Sequence, residues 1–208
     1  MEWFQWVSLA AMAITALFCL NLFLRLVKLG KPKDFSEASG SVCEGVLYSN
    51  TIAMLPNKKE SAYLHLPTYT AGMIFHIGTF ISLLFLLLSF FEIPYPQWLQ
   101  TALCAIISFA TLCGFVLLFK RIFSKNTANI TSPDDYISTG LVTLFNLMSA
   151  LIFICPEIII YYYLSASLLL LYIPVGKLKH LIYYFAARYH LGFFYGRRNS
   201  WTLSKNNK

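Results

Sequence analysis

Five stretches of this chain are apolar for long enough to cross a bilayer, and that leaves few folds open. A spanning helix needs about 17–25 predominantly apolar residues. Trp3–Leu24, Tyr69–Phe91, Trp98–Phe119, Ile137–Cys155 and Ile158–Val175 all meet that length with few or no charges inside. Backbone groups at membrane depth have no water to bond, so each run is expected to form an α-helix. Composition agrees: 58% of the residues are hydrophobic and 12% charged, against about a quarter charged in soluble domains. The expected fold is all-α, a polytopic membrane protein with five transmembrane helices in a single membrane domain over residues 1–208. The fifth helix is expected to continue to about residue 190, into a cytoplasmic amphipathic C-terminal tail. Residues 26–67 are expected to be a cytoplasmic loop, too short and too polar to be a domain of its own.

The first run is not a signal peptide by its pattern. It opens Met1-Glu2-Trp3 with no basic stretch, and no small-residue cleavage site precedes Arg25 and Lys28. Orientation follows from the cations. All 16 Lys and Arg lie in three segments. Arg25, Lys28, Lys31, Lys33, Lys58 and Lys59 follow the first run, and Lys120, Arg121 and Lys125 follow the third. Lys177, Lys179, Arg188, Arg197, Arg198, Lys205 and Lys208 follow the fifth. The segments at the N-terminus, around Glu92 and around Glu157 have none. The positive-inside rule places the N-terminus outside and the tail in the cytoplasm; the expected location is the cytoplasmic (inner) membrane. The net charge of +7 is mostly this bias, so nucleic acid is not expected as a partner. A basic face towards anionic lipid or an acidic partner stays open.

Local signals mark some boundaries. In "TSPDDY", Ser132 reads as an N-cap and Pro133 as the first helical residue, with Asp134 and Asp135 favoured by the helix dipole. Short outer turns, "EIPYPQ" and "CPE", make runs two and three, and four and five, antiparallel hairpins. The five cysteines include no C-x-x-C, so neither a ferredoxin-type cluster nor covalently attached haem is expected.

Chemistry concentrates in the four histidines, His65, His76, His180 and His190. His76 lies within the second apolar run, where an ionisable group marks a functional position by default. His180 lies just past the fifth run, at similar depth on the assumption that its helix continues. Gly72 precedes His76 by four residues, and Gly176 precedes His180 by four. Residues at i and i+4 share a helix face, so a bare patch beside each imidazole would let a flat group lie against the helix. Two such helices can hold a porphyrin with both imidazoles as axial ligands, a bis-histidine b-type haem. The spacing alone leaves two other readings open: histidines hydrogen-bonding between helices packed through small residues, and another metal or a proton relay. His65 reads as an interfacial ring and His190 as part of an aromatic tail, neither with a special role.

"AYLHLPTYTAGMIFHIG", "TSPDDY" and "IPVGKLKHLIYYFAARYHLGFFYGRR" together resemble the respiratory nitrate reductase gamma subunit family of membrane cytochromes b. Within it the resemblance is closest to the membrane cytochromes of heterodisulfide-reductase-like and sulfite-reduction-associated complexes. It implies one haem b held by His76 and His180, with Gly72 and Gly176 beside it. Lys179 and Arg188 would be counter-charges for the propionates or the partner. The family's second, outer haem would need ligands ten residues after His76 and eighteen before His180. Those positions are Leu86 and Tyr162, so one haem is expected. The implied function is electron transfer between a membrane quinone, as substrate, and a cytoplasmic iron–sulfur subunit, heterodisulfide-reductase-like or ferredoxin-like. The alternative is a haem-free membrane anchor that docks a cytoplasmic redox subunit. A transporter fits less well, because the third and fourth runs carry no charge at mid-depth.

Overall fold

The structure, a computed structural model, describes residues 1–29, 35–58, 64–91, 93–125, 129 and 131–203. Lys31, Lys33, Lys59, Glu92, Lys205 and Lys208, invoked above for topology, lie outside the described residues. Secondary structure among the described residues is helical, with no strand. The α-helices are α1 (Trp3–Leu29), α2 (Val42–Asn50), α3 (Leu66–Ser89), α4 (Gln97–Phe123), α5 (Pro133–Leu151), α6 (Ile159–Tyr172) and α7 (His180–Arg197).

Five apolar runs became five helices, but not five that each meet the length and polarity of a span. Among the described residues α1, α3 and α4 do. A fourth span appears only if the broken pair Pro156–Tyr172 and Lys177–Arg197 is taken as one. Two physical causes account for the difference. α5 begins with Asp134 and Asp135 in its first turn. α6 has 14 residues, about 21 Å at 1.5 Å per residue, well short of a hydrocarbon core of about 30 Å. The continuous fifth helix expected through His180 is interrupted. α6 ends at Tyr172, and a turn and a 3₁₀ segment at Lys177–Lys179 separate it from α7. Pro174 explains the stop, since proline donates no amide hydrogen and clashes with the preceding turn.

The chain folds as two compact units. The first comprises Met1–Ala16 and Leu66–Leu178, so it holds the start of α1 and all of α3 to α6. Its core gathers Phe4, Phe75, Leu86, Phe145, Tyr162, Tyr163 and Leu169 from these helices. Hydrogen bonds at the two ends give the helix directions. At one end, Lys120 at the close of α4 donates to Thr68 at the start of α3 (2.6 Å). At the other, Tyr163 of α6 donates to Ser89 of α3 (2.9 Å), and Gln5 of α1 donates to Tyr163 (3.5 Å). The hairpin α3–α4 is therefore antiparallel, and so is α5–α6, where Lys177 after α6 reaches Asp135 at the start of α5 (2.8 Å), as their short turns require.

The second unit comprises Leu17–His65 and Lys179–Lys208. Here the loop after α1 and the tail, far apart in sequence, pack together through α2 and α7. The loop is thus not an isolated polar linker. Glycine makes the approach possible. A Cβ on Gly45 of α2 would collide with Gly192 and Gly196 of α7, and one on Gly196 would lie 2.8 Å from the Gly45 Cα. Small residues that let backbones meet are the usual helix contact of membrane proteins. Arg197 ties the far end, its carbonyl accepting from the amides of Ser39 (3.0 Å) and Gly40 (3.1 Å). Trp201 stacks on Tyr195 at 4.6 Å and meets Tyr48 at 5.5 Å.

Candidate functional site: the His76 face of α3

His76 stands ten residues into α3, about 15 Å from its first residue by helix rise. Its ring is exposed, and Nδ1 lies 2.7 Å from the Gly72 carbonyl one turn back. A carbonyl only accepts, so Nδ1–H is the donor, and in the neutral ring Nε2 keeps its lone pair. Axial histidines are oriented in this way, the second ring nitrogen donating to a backbone carbonyl so that tautomer and ring plane are fixed. Gly72 is open: apart from its own helix, nothing lies within 4 Å of where a Cβ would be. Imidazole and bare patch therefore sit on one exposed face, as the spacing predicts, and fit one side of a porphyrin.

The partner motif is built differently. Gly176 lies in the break between α6 and α7, not one turn before His180 on a shared helix. A Cβ at Gly176 would collide with the ring of Tyr172. The sequence argument for a bare patch there is therefore corrected: Gly176 is small because Tyr172 folds over it. His180 is exposed and is the first residue of α7. It belongs to the second unit and His76 to the first. Lys179 closes the 3₁₀ segment before α7, and Arg188 lies on α7 with its guanidinium 5.7 Å from the Tyr184 ring centroid.

The other two histidines take ordinary places. His65 is exposed just before α3. His190 Nε2–H donates to the Leu26 carbonyl (3.1 Å), one of the four carbonyls at the end of α1 that lack a partner within the helix. It caps a helix.

Leu86 and Tyr162, at the positions of an outer ligand pair, are 1% and 0% exposed. Tyr162 lies 6.1 Å from Phe145, stacked, and 6.0 Å from Phe85, centroid to centroid. That region is filled by side chains. It also carries polar groups: Asn146 donates to Thr79 (3.0 Å), while Asn146 Oδ1 and Ser82 Oγ are buried with no hydrogen-bond partner among the described residues.

A charged cluster that sequence reading missed closes the Lys120 end of this unit. Asp135, in the first turn of α5 ahead of the apolar run, is met by Lys177 Nζ at 2.7 Å and by Arg121 at 3.0 Å. Its carboxylate also accepts from the Ser132 amide (3.0 Å) and hydroxyl (2.9 Å), so the expected N-cap forms with the aspartate reaching back. Lys177 above all, with Ser132 and Arg121, holds the Asp135 carboxyl well below the usual carboxylate range against the opposing effect of its burial. The only sequence signal was the basic residue at each of two loop ends. No family model, curated protein or solved structure matches the chain.

Proposed function

We propose that the chain is a b-type haem subunit of a membrane oxidoreductase complex, akin to the nitrate reductase gamma family. It would pass electrons between the quinone pool and a cytoplasmic iron–sulfur subunit. In this reading all five apolar helices cross or enter the membrane, with the N-terminus outside and the tail in the cytoplasm. The observation that carries it is His76, its Nδ1–H held by the Gly72 carbonyl and its Nε2 on an open glycine face. His180 is the second ligand that the resemblance supplies. A haem supplies one-electron chemistry, its potential set by axial ligands, burial and hydrogen bonding. The chain's own part is to fix the His76 tautomer through Gly72 and to leave space beside it. The packed core at Leu86 and Tyr162 favours one haem over two.

A reduced-minus-oxidised absorption spectrum of the purified chain is the direct test, read with a pyridine haemochrome assay of His76→Ala and His190→Ala. The expected result is a b-type spectrum lost in the first variant and kept in the second. A colourless, folded wild-type chain would overturn the reading and leave the haem-free anchor.

A further inference from the structure

Helix α7 is built inside out. Its buried residues are Ala186, Gly192 and Gly196, while Tyr183, Tyr184, Phe185, Leu191 and Phe194 are exposed. Small residues inward and bulky apolar ones outward is the arrangement of a helix bathed in lipid, where packing and not water exclusion holds helices together. Cations accompany the rings. Arg188 lies over Tyr184 at 5.7 Å, and Arg198, just past the helix, lies over Phe194 at 3.7 Å. Positions 184, 188, 191, 194 and 198 recur every three or four residues and so form one face. No Asp or Glu occurs from Ile158 to Lys208. The described acidic residues of this unit, Glu37 and Glu44, both lie before α7 in the loop segment.

One point of α7 is levelled by His190, whose bond to the Leu26 carbonyl sets the middle of the helix beside the last turn of α1. The apolar run of α1 ends at Leu24 and meets Arg25 and Lys28, the pattern of a span reaching the headgroups. Rings and arginines on either side of that point match the amphipathic belt of a membrane interface, where aromatic bodies sit among acyl chains and cations meet phosphate.

We infer that the Tyr184–Arg188–Leu191–Phe194–Arg198 face of α7 is a lipid-binding surface that lies in the headgroup layer and selects anionic phospholipid. The inference stands apart from haem binding. The full chain, carrying the photo-reactive residue benzoyl-phenylalanine at 194, is reconstituted in vesicles of equal phosphatidylglycerol and phosphatidylcholine. After illumination, adducts are identified by mass. The expected result is a lipid adduct with at least a roughly fivefold excess of phosphatidylglycerol, the value that attraction of one of the two arginines to an anionic surface implies. That excess should disappear in R188S/R198S and persist in R188K/R198K, with the total lipid adduct retained in both. An adduct to a second copy of the chain, or no lipid adduct, would overturn the lipid surface. An unchanged excess in R188S/R198S would overturn the headgroup selection.

Discussion

Lys177 Nζ lies 2.7 and 2.8 Å from the two carboxylate oxygens of Asp135, joining the segment after α6 to the start of α5. A carboxyl whose folded pKa is depressed stabilises the fold at pH values above its ordinary pKa and loses that contribution as pH falls. For Asp135 the ordinary value is 3.8, so the loss begins around there and proceeds downward. Arg121 and Lys177 are 36% and 54% exposed, and solvent screening limits the effect to about 1 kcal/mol. Asp135→Asn should lower thermal stability in detergent by that amount at neutral pH and flatten its decline below pH 4. An unchanged acid profile in the variant would show that other carboxylates govern it.

On the proposed haem reading, Gly72→Leu should expel or tilt the porphyrin. Leucine is the better helix former by roughly 1 kcal/mol and suits lipid, and no neighbour crowds the site, so the chain should fold at least as well. Haem per folded chain after gel filtration is the measurement. A folded, fully loaded variant would rule out a porphyrin lying on that face.

The proposed function gives one haem per chain, against two in the family that the sequence resembles. Supplying the missing imidazoles in L86H/Y162H should not add a second, because Phe85, Phe145 and Tyr163 fill the region. The double variant should instead lose about 3–5 kcal/mol through core disruption and buried polarity. Quantitative haemochrome against polypeptide, with a thermal melt, decides both points.

Gly192→Leu should part α2 from α7, since even a Cβ there would collide with Val46. Overpacking of this kind costs about 1–3 kcal/mol. Limited proteolysis is expected to cut faster within residues 35–58 and at the tail. The segment 66–172 should remain resistant, and equal cleavage throughout would count against separate units.

The helices were readable because a bilayer admits little else: Trp3, Gln97 and Pro133 open helices within a few residues of where the apolar runs begin. Ser132 and Pro133 were readable because capping is local. The His76–Gly72 pairing was readable as spacing, and its hydrogen bond follows from one helical turn. Pro174 carried a readable stop that the apolar character of Ile173 and Val175 obscured. Other features were not accessible to local reasoning. That Arg121 and Lys177 converge on Asp135 depends on three helix ends meeting. "GFFYG" is a visible small-residue motif, but its partner Gly45 lies nearly the whole chain away.

That separation governs when each unit can form during synthesis. α3, α4 and α5 meet near neighbours in sequence and can pair as they emerge. α2 must wait for α7, because the glycines that receive Gly45 are made about 150 residues later. Until then α2 and the open carbonyls ending α1 lack the partners that α7 brings. A nascent chain stalled before residue 190 would therefore be exposed to proteases at residues 35–58, and the arrival of His190 at Leu26 would close that window.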